Sequence, residues 1–484
     1  GYISEIELEG NEFVSDRVVL REIPFTVGDR YSAKRVAEGQ RELFALNLFR
    51  VAVAELPDQP RDSTVTVRYR LSEGNLRHFR AETGFSVDQG GTVDGDWTHR
   101  NFFGGARQFT VSGTYVSGLL AASSRGFQAT TQKSLSATLN QPYLFSRKLS
   151  GSFTPSYLRQ HIPIQRLEFE ETAIRTSLLY TIYNFRTVSL HHTLARVTPI
   201  GDATPVPEPG LDLDPSQRFE VYNRNIFTLS ADLGKVDDYI RPSSGFRVRP
   251  LVEVGGVILN LKDDVDYLKA QAEILGYMPL GNKYNLSGRL FLGTIWPLGE
   301  SKNQINPQME FRFDRIRFYA GGPNDVRGWP VNLLGPMQAI ADSVILEDGV
   351  PTPVDPEVEP TGGLGKITAN IELRTPFALL GPAWRGAIFL DMGGVFPSNF
   401  EKEFLRLKDI SPGDLHFGTG VGLRYETMVG FLRLDLGFKI NPGPADLASP
   451  EELWKIQNQQ MDENDVKGGI FDRFRLHLSI GQAF

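Results

Sequence analysis

The stretch 474-FRLHLSIG-481 decides the fold. Phe474, Leu476, Leu478 and Ile480 alternate with Arg475, His477, Ser479 and Gly481, the period of two that sends successive side chains to opposite faces of a strand. The pattern recurs upstream. Leu432, Leu434, Leu436 and Phe438 alternate with Arg433, Asp435, Gly437 and Lys439; Leu286, Gly288, Leu290 and Leu292 with Ser287, Arg289 and Phe291; and Phe79, Ala81, Thr83, Phe85 and Val87 with Arg80, Glu82, Gly84 and Ser86. Strands of soluble sandwiches alternate too but are typically shorter. Segments of roughly 9–11 residues, apolar outside and polar inside, have the length and period of a tilted transmembrane strand. Beyond Gly74 no helical period competes, and about 410 residues at roughly 25 per strand with its connection make about sixteen strands, an even number as bacterial barrels prefer. The fold class is therefore mainly β, with a transmembrane antiparallel barrel expected over residues 75–484.

Residues 1–74 read differently, as a small α/β module in the order β-α-α-β-β. Ile3, Ile6 and Leu8 form a strand that breaks at Gly10-Asn11, a turn pair. Ser15 or Asp16 can cap a helix carrying Val19, Leu20 and Ile23, which Pro24 stops; Ser32 can cap a second whose Val36, Leu43 and Phe44 are expected to share one face. Alternation then takes over, first in Phe49, Val51 and Val53 and then in Val65, Val67, Tyr69 and Leu71.

Composition narrows the function classes. The 484 residues include 48 Gly, 32 Phe and 15 Tyr, a strand-and-turn composition. No run approaches the roughly 20 consecutive apolar residues of a spanning helix. The net charge of −7 comes without a basic stripe, which argues against nucleic acid as a partner. Cysteine is absent, so neither disulfides nor thiolate metal sites are available. His191-His192 is a histidine pair without the H-E-x-x-H spacing of a zinc site, and neither a G-x-S-x-G elbow nor a phosphate loop occurs. We expect no enzyme activity, no metal and no cofactor. Gly1 opens on a strand-like segment without a basic or apolar leader, so any signal peptide is expected to have been removed, with further N-terminal sequence. Two long excursions stand out. Residues 341–363 are acidic and proline-bearing and are expected to be mobile and solvated; residues 441–468 allow a short surface helix around Glu451-Glu452-Leu453-Trp454.

With these pieces in order, the chain resembles the POTRA-plus-barrel outer-membrane assembly family, of BamA and TamA type, with residues 1–74 as the last POTRA domain before the barrel. Gly321-Gly322-Pro323-Asn324-Asp325-Val326-Arg327-Gly328-Trp329 resembles that family's V-R-G-F/Y/W motif on the sixth extracellular loop, here about residues 319–365. The resemblance implies that the loop folds back into the barrel and that Arg327 pairs with inner-wall carboxylates. A guanidinium suits that role with its fixed fork of donors, and Gly328 is expected to adopt a backbone conformation closed to other residues. Asp391, in Phe389-Leu390-Asp391-Met392-Gly393, and Glu372, in Ile371-Glu372-Leu373-Arg374, stand where the family has its acceptors. The C-terminus, Leu476 to Phe484, resembles the terminal β-signal of outer-membrane barrels. His99 to Gly104, Gln141 to Phe145 and Asp237 to Gly245 echo family turns.

The function implied is an outer-membrane assembly factor that folds and inserts β-barrel clients through a lateral gate between first and last strands. Phe79 and Thr83 would lie on one side of that gate, and Leu476, Leu478, Ile480, Gly481 and Phe484 on the other. Gly481 would shorten the seam, leaving an edge to template an incoming strand. Implied partners are unfolded barrel clients, periplasmic chaperones, accessory assembly lipoproteins and membrane lipid or lipopolysaccharide. The location implied is the outer membrane of a Gram-negative bacterium, with the POTRA domain in the periplasm. A TamA-like translocation module or a two-partner secretion pore of the same superfamily is the alternative; a passive porin lacks a module like residues 1–73.

Overall fold

The computed structural model of the protein describes residues 1–55, 64–86, 90–118, 130–162, 167–183, 186–200, 220–239, 241–258, 264–302, 312–313, 315–341, 343–347, 350–396, 412–427 and 430–480. The N-terminal module runs β1 (Tyr2–Glu9), α1 (Asp16–Glu22), α2 (Ala33–Ala45), β2 (Phe49–Glu55) and β3 (Thr64–Glu73). In its sheet β3 is central, parallel to β1 and antiparallel to β2. Val18 and Val19 of α1 and Val36 and Leu43 of α2 bury against Val67, Tyr69 and Leu71. The close approach of α2 requires Gly39, because a Cβ there would lie 2.7 Å from the Tyr69 hydroxyl oxygen; that hydroxyl donates to the Val36 carbonyl at 3.1 Å.

Two sequence expectations fail here. Phe44 does not share the buried face of Val36 and Leu43 and is 57% exposed, since its position adjacent to Leu43 turns it about 100° away. Val51 and Val53 do not continue the face of Phe49. A register shift between Phe49 and Val51 moves the chain by one side-chain position, so Ala52 is buried and the two valines are exposed.

A single sheet of sixteen strands follows. Its first eleven are β4 (Arg77–Ser86), β5 (Gly90–His99), β6 (Gln108–Val116), β7 (Thr131–Gln141), β8 (Leu149–Ile162), β9 (Leu167–Tyr183), β10 (Arg186–Pro199), β11 (Tyr222–Val236), β12 (Gly245–Gly255), β13 (Tyr267–Leu280) and β14 (Tyr284–Pro297). Four short strands, β15 (Met337–Ile340), β16 (Ser343–Glu347), β17 (Val350–Val354) and β18 (Glu357–Pro360), lie in the next connection. The sheet resumes with β19 (Gly365–Pro376), β20 (Trp384–Phe396), β21 (His416–Thr427), β22 (Gly430–Lys439) and β23 (Phe474–Ile480). Each strand pairs antiparallel with the next, β14 passing directly to β19. Leu432, Leu434 and Leu436 point outward toward lipid while Arg433 and Asp435 are buried inside.

The connection from β14 to β19 is the sixth on the end of the barrel away from the N-terminal module. Its described residues between 337 and 360, which overlap the excursion expected to be solvated at 341–363, differ from that expectation. β15 pairs with β18 and β16 with β17, and Ala339, Ala341 and Val358 bury against Leu453 and Trp454. Leu453 and Trp454 belong to the helix Pro450–Gln457, which Ser449 caps by accepting from the Glu452 amide. Sparse small apolar residues were enough, because a second loop supplied the other half of the core.

At the opposite end the module docks against two barrel turns. Asn101 Nδ2 donates to the Phe13 carbonyl at 3.1 Å, Arg21 Nη2 to the Gly105 carbonyl at 3.2 Å and Arg147 Nη1 to the Glu22 carbonyl at 3.0 Å. Ala106 is buried in the module's own core. The turns that echoed family motifs, His99 to Gly104 and Gln141 to Phe145, thus flank or form this socket.

Candidate functional site

The sixth loop turns back into the barrel. Gly321 and Gly322 take φ values of 106° and 103°, a region that side chains other than glycine rarely enter. Gly322 N then donates to the Trp329 carbonyl at 3.0 Å, closing a hairpin with Arg327 near its tip. Val326, Arg327 and Trp329 are all at most 1% exposed.

Arg327 meets two carboxylates on adjacent wall strands. Asp391 on β20 accepts from Arg327 Nε at 2.8 Å and Nη2 at 2.8 Å, a bidentate fork, and from the Arg327 backbone amide at 3.0 Å. Glu372 on β19 accepts from Arg327 Nη1. The guanidinium also lies 3.5 Å from the centroid of the Phe389 ring, a cation–π contact in a dehydrated setting. Asn370, paired with Asp391 in the β19–β20 ladder, donates to Asp391 Oδ1 at 2.9 Å.

The pair sits inside a larger network. Glu372 accepts from Arg374 Nε at 2.7 Å and Arg424 Nη2 at 3.1 Å. Arg424 Nη1 lies 2.6 Å from Asp435 Oδ1, and Arg433 reaches the Asn324 side chain in the loop. Asp325 ties the loop to Lys366 at 2.7 Å. Buried ion pairs add little net stability against desolvation, but removing one partner strands the other. The network therefore fixes where the loop sits rather than merely strengthening the wall.

Trp329 is held by a loop that sequence reasoning gave no site role. Its Nε1 donates to Asp446 Oδ1 at 2.7 Å, and Asp446 also lies 3.3 Å from His416. Gly328 corrects an expectation. Its φ is not positive; it is small because the loop presses flat on β22, where an added Cβ would lie 3.2 Å from Lys439 Cγ. Gly437 has the tighter constraint, since a Cβ there would come within 2.1 Å of the Arg327 carbonyl oxygen.

The loop reaches the other flank of the lumen as well. Arg315 donates to Glu171 on β9 at 2.7 Å, Arg312 stacks over Tyr222 on β11 at 5.2 Å, and Lys269 on β13 donates to the Ile316 carbonyl at 2.9 Å. It is therefore a strap across the barrel interior.

Of the residues expected at a seam, Phe79 and Thr83 lie on β4, both exposed and on the same outward face as Trp97 and Val93 of β5. Leu476, Leu478 and Ile480 lie on β23, with Leu476 58% exposed. Gly481 and Phe484 lie outside the described residues. β4 and β23 are the two ends of the sheet and stand beside each other. Among the described residues no ladder joins them. Sequence reasoning passed over Arg424, Arg433, Asp435, Asn370 and His477; the signal for most was their place in polar alternation, which does not single out partners. Among the described residues no group of three or more His, Cys, Asp or Glu side chains is arranged to hold a metal.

A sixteen-stranded barrel entered by a β-α-α-β-β module and crossed by an inward-folded arginine loop defines an outer-membrane barrel of the POTRA-bearing class, located in the outer membrane with the POTRA domain in the periplasm. The chain belongs to the Omp85 superfamily: the family described as "Omp85 superfamily domain" matches residues 101–484, and the POTRA family "Surface antigen variable number repeat" matches residues 1–74. An outer membrane protein assembly factor BamA of Nitratidesulfovibrio vulgaris is 23% identical over 461 residues, covering 91% of this chain and 49% of its own length. The chain thus spans about half the length of that relative. In fold it is similar to BamA from Haemophilus ducreyi lacking POTRA domains 1–3, with a TM-score of 0.68, 15% identity, and coverage of 93% of this chain and 82% of the other. A more distant fold match is CdiB from Escherichia coli, with a TM-score of 0.51, 12% identity, and coverage of 100% and 76%.

Proposed function

We propose that this chain is the membrane end of an outer-membrane protein assembly factor that inserts β-barrel clients through the seam between β4 and β23. The observation that carries this reading is that, among the described residues, no ladder joins those two strands in an otherwise continuous sheet. Closure normally removes every edge from a barrel. An edge without a partner leaves N–H and C=O groups that are costly in lipid, and an incoming strand satisfies them by β-augmentation. No covalent bond is made or broken, so no catalytic group or nucleotide is required; folding of the client supplies the free energy. The strap across the lumen favours lateral delivery over passage of a chain along the barrel axis, the work of a secretion pore. Periplasmic chaperones and accessory lipoproteins would feed the POTRA domain.

The test is a disulfide across the seam in a cell that depends on this protein, with Cys at Thr83 and at Leu476 or Leu478 in turn. Those positions are chosen because Thr83 and the leucines face outward, whereas Ser479 is buried on the inner side. Locking the seam is expected to stop barrel assembly, while a lock between β9 and β10 leaves it intact. Continued assembly by the locked protein would refute the gate and turn attention to the secretion pore.

A further inference from the structure

β23 is a seven-residue edge strand, laddered among the described residues to β22 on one side, from Phe438↔Phe474 to Leu432↔Ile480. Its inward face carries His477, 2% exposed, whose Nε2 donates to the backbone carbonyl of Arg327 at 2.9 Å. The same carbonyl reaches β23 only because Gly437 on β22 has no side chain in its path. So the residue whose side chain clamps β19 and β20 uses its main chain to hold the last strand.

We propose that His477 is a positioning residue that latches the final strand to the sixth-loop motif, so that β23 leaves its resting place only when that motif moves. The proposal rests on the seam reading for its purpose, but not for its existence. With the latch closed, β19 to β23 and the loop tip form one rigid flank, and the seam opens by displacement on the β4 side. With the latch released, β23 keeps its ladder to β22 but loses its tie to the loop, and becomes the more mobile edge. A buried donor satisfied by a main-chain carbonyl is well suited to this, because breaking the bond leaves both groups unpaired inside the barrel.

The test is hydrogen exchange of the peptide covering residues 474–480 in the whole chain reconstituted in lipid bilayers. His477→Ala is expected to accelerate exchange there roughly tenfold, the loss of one buried hydrogen bond, with β8 to β10 unchanged. His477→Gln places an amide donor close to the Nε2 position and is expected to exchange at the parental rate. Exchange unchanged in His477→Ala, or equally fast in His477→Gln, would overturn the latch. Should the alanine variant fail to fold, Gly437→Ala displaces the Arg327 carbonyl from β22, where Gly437 pairs with Arg475, and leaves every residue of β23 unchanged; it must accelerate exchange of the same peptide, and unchanged exchange overturns the proposal. Because exchange needs neither client nor gate, a latch that stands while a locked seam still assembles barrels would sink the seam-gate reading alone.

Discussion

Arg327→Ala should free the sixth loop from the wall, and the size of the effect follows from what the substitution leaves behind. Asp391 loses both arms of the fork and keeps the Arg327 backbone amide and Asn370. Glu372 keeps Arg374 and Arg424. The stranded charge is therefore mostly that of Asp391, and breaking a buried pair from one side costs about 3–5 kcal/mol. With Glu372 still compensated the lower end applies, so the open population of the loop should rise by about two orders of magnitude. The chain has no cysteine, so Val326→Cys is a unique thiol at a position with no exposure in the closed loop. Its labelling rate by a membrane-impermeant maleimide reports the open state. Arg327→Ala in that background is expected to label about a hundredfold faster. Arg327→Lys keeps the charge but not the planar fork and should fall between. Adding Asp391→Asn to Arg327→Ala should recover part of the loss, since no charge is then stranded. Labelling of Arg327→Ala at the parental rate would refute the claim that this arginine holds the loop.

Other outcomes follow from the same contacts. Trp329→Phe removes the donor to Asp446 and should speed the same labelling by about tenfold, the net worth of one buried hydrogen bond to a charged group being roughly 1.5 kcal/mol; an unchanged rate would show that Asp446 merely borders the loop. Asp264, outside the strands, is raised to about 6 by burial despite accepting the amides of Val265 and Asn225. A raised carboxyl contributes stability that is full below its ordinary range near 4 and lost as pH rises through about 6, so protection near residues 264–267, corrected for the intrinsic pH dependence of amide exchange, should fall between about pH 4 and 6, and Asp264→Asn should flatten that profile. Ala106→Asp places a carboxylate in the module's core and should undock it from the barrel turns, read as increased distance between spin labels on α2 and β8; an unchanged distance means the socket is dispensable. Tyr69→Phe should lower the unfolding free energy of the module by about 1 kcal/mol through the lost bond to Val36, measurable by denaturant titration of residues 1–74 within the whole chain.

The sequence by itself determined the class of fold and the order of its parts. Alternation is enforced locally, because a strand buried in lipid on one face and water or protein on the other must repeat every two residues, and FRLHLSIG displays it without help from any other segment. The same holds for the N-terminal module, where helical spacing gives way to alternation. Local pattern failed where a distant contact or a backbone irregularity set the outcome. The shift after Phe49 turned Val51 and Val53 outward, and Ala339, Ala341 and Val358 gained a core only because Leu453 and Trp454 arrive from another loop. The carboxylates near Arg327 could be named from their surroundings in the sequence, but their geometry could not. Asp391 and Glu372 lie 64 and 45 residues from Arg327, and His477 lies 150 away. Polar alternation says only that such side chains face the lumen. Which of the many lumen-facing charges meet, and that one main-chain carbonyl ties the motif to the last strand, is decided by the closed curvature of the sheet, which brings strands remote in sequence around one loop.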